Sequence, residues 1–557
     1  MKLNNIIKPV KLLALAALLL PTQSCEDVLD EVVVSGIGNN YINTPKGFED
    51  AVNSAYSTLR YYYGTQQGLT LTEYGTDIYA TGADGGYKGF HFYDPQLNPS
   101  VNYLANVWDE LYRGINTCNA IIDRAPESSV AAETKKLRVA EAKFLRAQYY
   151  FILFQQYGGV DLRLSETLAP TKATTRATDT DMYTAIIADF NAAIADLPAS
   201  QSQYGRATKP AAEMALAKVY LAKAYSSSKA SDDFSKAATL SQSVVKNYGF
   251  SLLDDFASVF DENNQKNSEI VFAVQYTSDL LTNLTNNTNA TNGGNNLHLF
   301  FGMQYDVQSG MQRDVFYGRP FKRLRPTTYA LETVFGERVN DSRYKKTFRD
   351  TWKSNKPGTY NSAFDDSKTT LNFASGDTTI FIPGYEMSKE ERAKRPYQVL
   401  NPSKYSEALF PTLTKFFDTK RPDMTYESGS RDYFVFRLAD AYLMLAEAQL
   451  GAGNIQDATD AINMVRRRAG WPGKKEAMAI TSAQMNMEML MEERARELAG
   501  EQTRWLDLKR WGNLVERVKL YNPQAKDFIT SIHLLRPIPQ TQIDRSDVGV
   551  FSQNPGY

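Results

Sequence analysis

Cysteine is almost absent from this chain. Cys25 and Cys118 are the only two in 557 residues, too few and too far apart for a disulfide framework. Histidine is scarce as well: His91, His298 and His533 stand isolated from one another and from cysteine, which argues against a zinc site. Beyond residue 24 no run of about 18 apolar residues offers a membrane-spanning helix. Neither sign of charge is in excess. Sixty-two basic residues face 63 acidic ones, so nothing in the balance points to nucleic acid or an anionic membrane surface as a partner. The phosphate-binding glycine loop, HExxH and GxSxG are all missing.

What remains is a chain that must be held by packing. Hydrophobic residues make up 43% of it, enough for a large core. Aromatics are the informative excess: 33 Tyr, 28 Phe and 5 Trp suit a core and also a surface that binds by stacking.

The first 24 residues have the plan of a secretory signal peptide. Lys2, Lys8 and Lys11 make a positive start, Leu12 to Leu20 is apolar on every face, and Thr22-Gln23-Ser24 leads into Cys25. A signal ending at a cysteine resembles that of a bacterial lipoprotein, in which the thiol is lipidated after cleavage; a reactive thiol followed at once by charges has no role in a core. Glu26, Asp27, Asp30 and Glu31 follow, and residues 25–45 read as an acidic tether. Loss of residues 1–24 removes three lysines and takes the net charge from −1 to −4.

From Pro45 apolar residues recur at helical spacing. Phe48, Val52, Ala55 and Leu59 form one face, and Leu104, Val107, Trp108, Leu111 and Ile115 another. "AAETKKLRVAEAKFLRAQYYFILFQQYGG" predicts a long helix stopped at Gly158-Gly159. Further helices come in pairs. Residues 209–248 carry alanines (Ala211, Ala212, Ala217, Ala237, Ala238) where two helices must approach, and "RLADAYLMLAEAQLGAGNIQDATDAINMVRRRAG" repeats the scheme. These pairs resemble tetratricopeptide-type hairpins, which bury their faces only by stacking into a block.

Between residues 250 and 433 the rhythm breaks. "LTNLTNNTNATNGGNN" (281–296) cannot supply a core, while "SEIVFAVQY" and "TTIFIP" read as short strands. The expected fold class is therefore mostly α: a helical-pair scaffold with an irregular, loop-rich insertion at about 261–430. Such insertions are where binding usually lives.

The densest carboxylate cluster, "MEERARELAGEQTRWLDLKRW", alternates in sign at helical spacing and predicts a salt-bridged helix and its turn, with Arg437, Asp440 and Glu447 satisfied at the edge of the preceding pair. A glycosidase would need two carboxylates facing each other across a cleft. A sugar-binding surface needs flat rings with polar groups beside them, and two stretches supply these. "TEYGTDIYATGADGGYKGFHFYDP" offers Tyr74, Asp77, Tyr79, Tyr87 and Phe90; "HLFFGMQYDVQSGMQRDVFYGRP" offers Phe301, Tyr317 and Arg319. Tyr79, Tyr87, Phe301 and Tyr317 are the expected stacking rings, with Asp77 and Arg319 as hydroxyl partners.

Across nearly its whole length the chain resembles the SusD/RagB-like surface lipoproteins of Bacteroidetes. The matching stretches are "SCEDVLDE", "FLRAQYYFILFQQYGGV", "GRATKPAAEMALAKVYL", "FRLADAYLMLAEA", "AINMVRRRAG", "EERARELAGEQTRWLDLKRWG", "LRPIPQTQI" and the terminal "QNPGY". The resemblance implies an N-terminal helical region at 46–260 and a C-terminal region at 261–557. It implies a lipid anchor at Cys25 in the outer membrane, with Glu26, Asp27, Asp30 and Glu31 acting as the signal for the cell surface. It further implies a protein without catalysis or cofactor that captures an oligosaccharide and hands it to a SusC-like TonB-dependent transporter, over which it sits as a lid. A peptide ligand, a helical scaffold that recruits surface proteins and a surface glycosidase are the alternatives.

Overall fold

A computed structural model of the protein describes residues 40–279, 283, 294–547 and 551–557. Cys25, Glu26, Asp27, Asp30, Glu31 and most of the Asn/Thr-rich run at 281–296 lie outside the described residues.

The helices start and stop where local chemistry dictates. Helix α1 (Pro45–Ser57) begins with proline at its first position and the Thr44 hydroxyl accepting from the Gly47 N–H at 3.1 Å. The short, buried α2 (Gln66–Thr72) is capped by Thr65. Two long helices follow, α3 (Asn102–Arg124) and α4 (Ala132–Tyr157), and α4 stops where Gly158 takes a φ of +74°. Next come α5 (Asp179–Asp196), opened by a Thr178/Asp181 capping box, then α6 (Lys209–Ala224) and α7 (Asp233–Asn247). From α3 to α7 each helix packs on its neighbour. Ala211, Ala212, Ala217, Ala237 and Ala238 are buried, as close helix approach requires.

The next layer in space is not the next in sequence. Helix α8 (Leu438–Gly451) packs on α7, and α9 (Ile455–Ala469) packs on α8, so the stack continues across the whole insertion. The scaffold is mostly α and tetratricopeptide-like. The insertion leaves and returns through a two-stranded antiparallel clasp, formed by Ile270–Val274 and Tyr433–Arg437 with Tyr433 opposite Val274 and Arg437 opposite Ile270. "SEIVFAVQY" is thus a strand as read, and so is "TTIFIP", whose Thr378–Phe381 pairs with Thr351–Lys353. The insertion has its own core, in which Met303, Tyr305, Trp352, Ile380, Leu400 and Phe410 pack apart from the main one. Among the described residues no helix is long and apolar enough to cross a membrane.

After α9 come α10 (Met487–Leu498) and α11 (Arg504–Arg510). The carboxylate cluster here does not run along an exposed face. Arg496 pairs within the helix, with Glu493 at 2.5 Å and Glu492 at 3.9 Å, as the alternating charges predict, but most of the cluster points inward and also pairs with distant elements. Glu497 receives Arg343, Arg437 and Arg468 at 2.9, 2.7 and 2.5 Å. Glu493 receives Arg343 and Arg466, both at 2.7 Å. Arg437 also reaches Glu269 and Glu501, and Arg468 reaches Glu269. Apart from Arg466, which is partly exposed, the groups of this network are withdrawn from water. Burial alone would raise the Glu497 carboxyl, yet Arg468, Arg437 and Arg343 hold it far below the usual carboxylate range. Arg437, Asp440 and Glu447 are likewise engaged. Asp440 takes Lys218 and Arg494, both at 2.9 Å, and Glu447 takes Arg510.

A second buried carboxyl links the N-terminal layer to α11. Glu73 Oε1 accepts from the backbone N–H groups of Thr503 (2.9 Å) and Arg504 (3.3 Å), while Oε2 has no partner. Burial outweighs those two hydrogen bonds and pushes this carboxyl up to about 8.

Two stability predictions follow from these groups. Glu497→Ala leaves three buried guanidinium groups short of an anion and should cost about 3–5 kcal/mol in urea unfolding; a cost under about 1 kcal/mol would show the network to be incidental. For Glu73 the folded state holds its proton more tightly than the unfolded chain. Its contribution is therefore complete below about pH 4.5 and fades as pH rises towards 8, by at most about 1.4 kcal/mol per pH unit. The stability of Glu73→Gln relative to the parent should accordingly rise between pH 5.5 and 8, and a difference that does not change with pH would refute the protonated state.

Candidate functional site

The two aromatic loops meet on the ribbon formed by β1 (Tyr79–Thr81) and, following the clasp strand β2 (Ile270–Val274), β3 (Leu324–Pro326). Tyr79 lies opposite Pro326 and Thr81 opposite Leu324. Beyond the ribbon the Gly82 N–H donates to the Arg323 carbonyl at 3.1 Å, so the loop at residues 82–87 runs against residues 321–323. A Cβ on Gly82 would sit 2.0 Å from the Lys322 oxygen, so this approach demands glycine.

Most of the predicted ligand residues prove to be the foundation of this face. Asp77 is fully buried and accepts from Arg504 at 2.8 and 2.6 Å and from Arg517 at 2.8 Å. Burial opposes its charge, but the two arginines prevail and hold the carboxyl below its ordinary range. It has no oxygen to offer a hydroxyl group outside. Tyr74 is buried against His91, ring centroids 4.0 Å apart. Tyr79 is buried edge-on to Phe301 at 5.5 Å. Phe90 is buried beside the Arg536 guanidinium, which also lies 4.2 Å from the Trp505 ring. Tyr317 is buried against Trp352, and its hydroxyl is tied to the backbone of Lys353. The expectation that Tyr74, Asp77, Tyr79, Phe90, Phe301 and Tyr317 face a ligand is therefore corrected. Rings in a glycine-rich loop carry no periodicity to fix their direction, and here the loops fold inward onto the helical layers.

Two of the predicted residues reach the surface. Tyr87 is half-buried, stacked on Tyr103 at 3.4 Å, and held in the left-handed region at φ +64°. Arg319 donates to Glu427 Oε1 at 2.6 Å and lies 5.0 Å from the Phe321 ring. Between them stands Arg323, which the sequence reading missed. Its guanidinium lies 4.8 Å from Phe321 and 5.2 Å from Phe300, and its side chain packs under Gly85. Tyr87, Arg323, Phe321, Arg319 and Glu427 thus form one contiguous face, with exposed Phe316 set edge-on to Tyr317 at 5.0 Å. Burial pushes the Glu427 carboxyl up despite Arg319.

Several polar atoms beneath this face are buried and unpartnered. They include the Tyr74 hydroxyl, both ring nitrogens of His91 and the Nε of Arg323; Gln66, Thr70 and Arg323 face the Tyr74 hydroxyl from beyond hydrogen-bond distance. Burial drives the His91 imidazole down to about 3, so the ring is neutral. Next to the face lies an open groove of 670 Å³ lined by Arg325, Tyr329, Arg338, Tyr405 and Tyr521. Among the described residues no cluster of His, Cys, Asp or Glu could hold a metal ion. The signal for the missed residues was in "FKRLRP" (321–326), where basic residues two apart in an extended segment leave it on one side.

Comparison with known proteins agrees with this architecture. A family model described as the SusD family matches residues 268–557, and one described as "Starch-binding associating with outer membrane" matches residues 41–221. SusD-like protein P25 of Formosa agariphila is 25% identical, with both chains covered in full. Among solved structures, a laminarin-binding SusD-like protein aligns with a TM-score of 0.67 at 23% identity, covering 92% of this chain and 100% of that one. NanU of B. fragilis aligns with a TM-score of 0.69 at 22% identity, covering 93% and 98%. With a family match over more than half of its length, this chain belongs to the SusD family.

Proposed function

We propose that this protein is a glycan-binding lipoprotein of the cell surface, anchored through Cys25, which captures an oligosaccharide and passes it to a SusC-like TonB-dependent transporter. The observation that carries the reading is the contiguous face of Tyr87, Phe321, Arg323, Arg319 and Glu427 on a rigid helical scaffold. Rings of this kind take the apolar side of a sugar, while guanidinium and carboxylate groups beside them take its hydroxyls. The family membership and the laminarin-binding relative support a glycan over a peptide, and the "outer membrane" wording of the family description supports the location. Glu26, Asp27, Asp30 and Glu31 serve as the surface-export signal, next to the anchor. Binding without hydrolysis is favoured because Asp77 is locked in the core and Glu427 is engaged by Arg319. The helical stack supplies the stiffness that a lid over the transporter needs.

The contact set can be tested against the buried foundation. Tyr87→Ala and Phe321→Ala should each weaken binding to the preferred polysaccharide about tenfold or more in calorimetry, with melting unchanged. Tyr79→Ala should instead lower the melting temperature, since it empties a core position. If both surface variants bind as the parent does, the ligand sits elsewhere. Anchoring has its own test: Cys25→Ala should yield a folded protein released from membranes, because each buried CH₂ of an acyl chain contributes about 0.8 kcal/mol. Retention of that variant in the outer membrane would remove the lipid assignment.

A further inference from the structure

Many buried arginines of the scaffold are matched with carboxylates, although Arg536, fully buried among aromatic rings, has none among the described residues. Arg343, Arg437, Arg468, Arg494, Arg504 and Arg517 each hold at least one. On the β1–β3 ribbon such pairing is absent at the surface. Arg323 and Arg325 have no carboxylate within ion-pair distance among the described residues, and the Nε of each is buried without a hydrogen-bond partner. They are consecutive same-side residues of one extended segment: Leu324 and Pro326 are buried, while Arg323 and Arg325 are half-exposed. Their Cα atoms are therefore about 7 Å apart.

The surroundings hold these guanidinium groups without using their N–H donors. Arg323 is flanked by the Phe300 and Phe321 rings, whose faces attract a cation and leave its N–H groups unspent. Arg325 lines the 670 Å³ groove beside Ala80, a residue too small to cover it. A third cation on the groove, Arg338, gives its N–H groups to the carbonyls of Leu331, Phe335 and Gly384, so its charge also lacks a carboxylate. Among the described residues no acid nearby pairs with Arg323 or Arg325, although Glu332 and Glu386 line the groove and Glu427 feels the Arg323 charge. Glu427 is held by Arg319, Glu386 by Ser403, and Glu407 acts on Arg325 only from beyond pairing distance; Glu332 is exposed at the groove.

A planar guanidinium with free in-plane donors is built for a carboxylate or sulfate, which it meets with two parallel hydrogen bonds. Each of these two half-exposed groups keeps a buried Nε–H without a partner, a cost that an anion bound to the guanidinium would offset. We infer that the ligand is an acidic glycan, one whose sugars carry carboxylate or sulfate groups, with Arg323 and Arg325 as its anion receptors; this rests on the glycan reading above. Tyr87 and Phe321 then take the ring faces, and the groove lined by Tyr329, Tyr405 and Tyr521 receives the sugars beyond Arg325.

The test is calorimetry on the mature chain with polygalacturonate and alginate as carboxylate polymers, ι-carrageenan and chondroitin sulfate as sulfate polymers, and laminarin, amylopectin and galactan as neutral ones. At least one acidic polymer should bind more tightly than every neutral one, and binding should weaken as salt rises. Arg323→Gln and Arg325→Gln should each weaken it about tenfold or more, with melting unchanged. Carboxylate or sulfate preference is read from which arm binds. Neutral polymers binding as tightly as acidic ones, no acidic polymer binding at all, or acidic binding untouched in both variants overturns the inference. If a neutral polymer binds in those cases, the glycan reading stands. Binding confined to a tryptic digest of casein removes both.

Discussion

Everything in this fold hangs on the buried arginine–carboxylate network around Glu497. Its members come from segments far apart in sequence: Glu269 before the clasp, Arg343 inside the insertion, Arg437 at the end of the returning strand, Arg468 at the end of α9, and Glu493 and Glu497 on α10. Ion pairs of this kind gain little over apolar packing of equal volume. What they add is selectivity. An apolar face tolerates a slipped neighbour, whereas a guanidinium displaced by one residue leaves a bare charge in the core. One arrangement of solenoid, clasp and insertion neutralises every group, and the alternatives do not.

The same logic reaches the face that carries Tyr87 and Arg323. Asp77, with Arg504 and Arg517, fixes the start of the first aromatic loop to the C-terminal layer, and Glu73 ties the turn before it to the beginning of α11. Tyr74, Tyr79, Phe90 and Phe301 then fill the space between the loops and the helices. A residue that contacts a ligand performs only as well as its support is stiff, and here the support is a layer of buried rings resting on paired charges. Tyr87 keeps a left-handed backbone for the same reason, since its ring is clamped on Tyr103.

The helical half of the molecule was legible because burial writes a period into sequence. The apolar stripe of α3, the alanines of α6 and α7 and the glycine stop after α4 each follow from local geometry, and they are where the reading places them. The strands at 270–274 and 378–381 were legible from β-branched and aromatic runs. Direction within the loops was not. Asp77 reads as an exposed polar group until its partner appears, and that partner, Arg504, is 427 positions away. Nor do Tyr and Phe among glycines betray which ring is floor and which is surface. Arg323 and Arg325 were written into the sequence by their two-residue spacing, but the meaning of that spacing depended on knowing that among the described residues no acid pairs with them.

The clasp has a consequence for how such a molecule can change. Its two strands lie side by side, so the chain leaves and rejoins the solenoid at nearly the same point. Whatever is threaded between them is, for the scaffold, a closed loop, and the entropy of closing a loop grows only by about 0.6 kcal/mol for each doubling of its length. The exposed loops between Val274 and Tyr433 can therefore change length with small effect on the stack below, whereas Phe301, Leu324, Tyr329 and Phe335 pack into the main core and Arg343 meets Glu493 and Glu497, so those positions are held. The solenoid behaves as a socket in which the insertion is seated by shared core, clasp and charge, and only its outer loops are free to be exchanged.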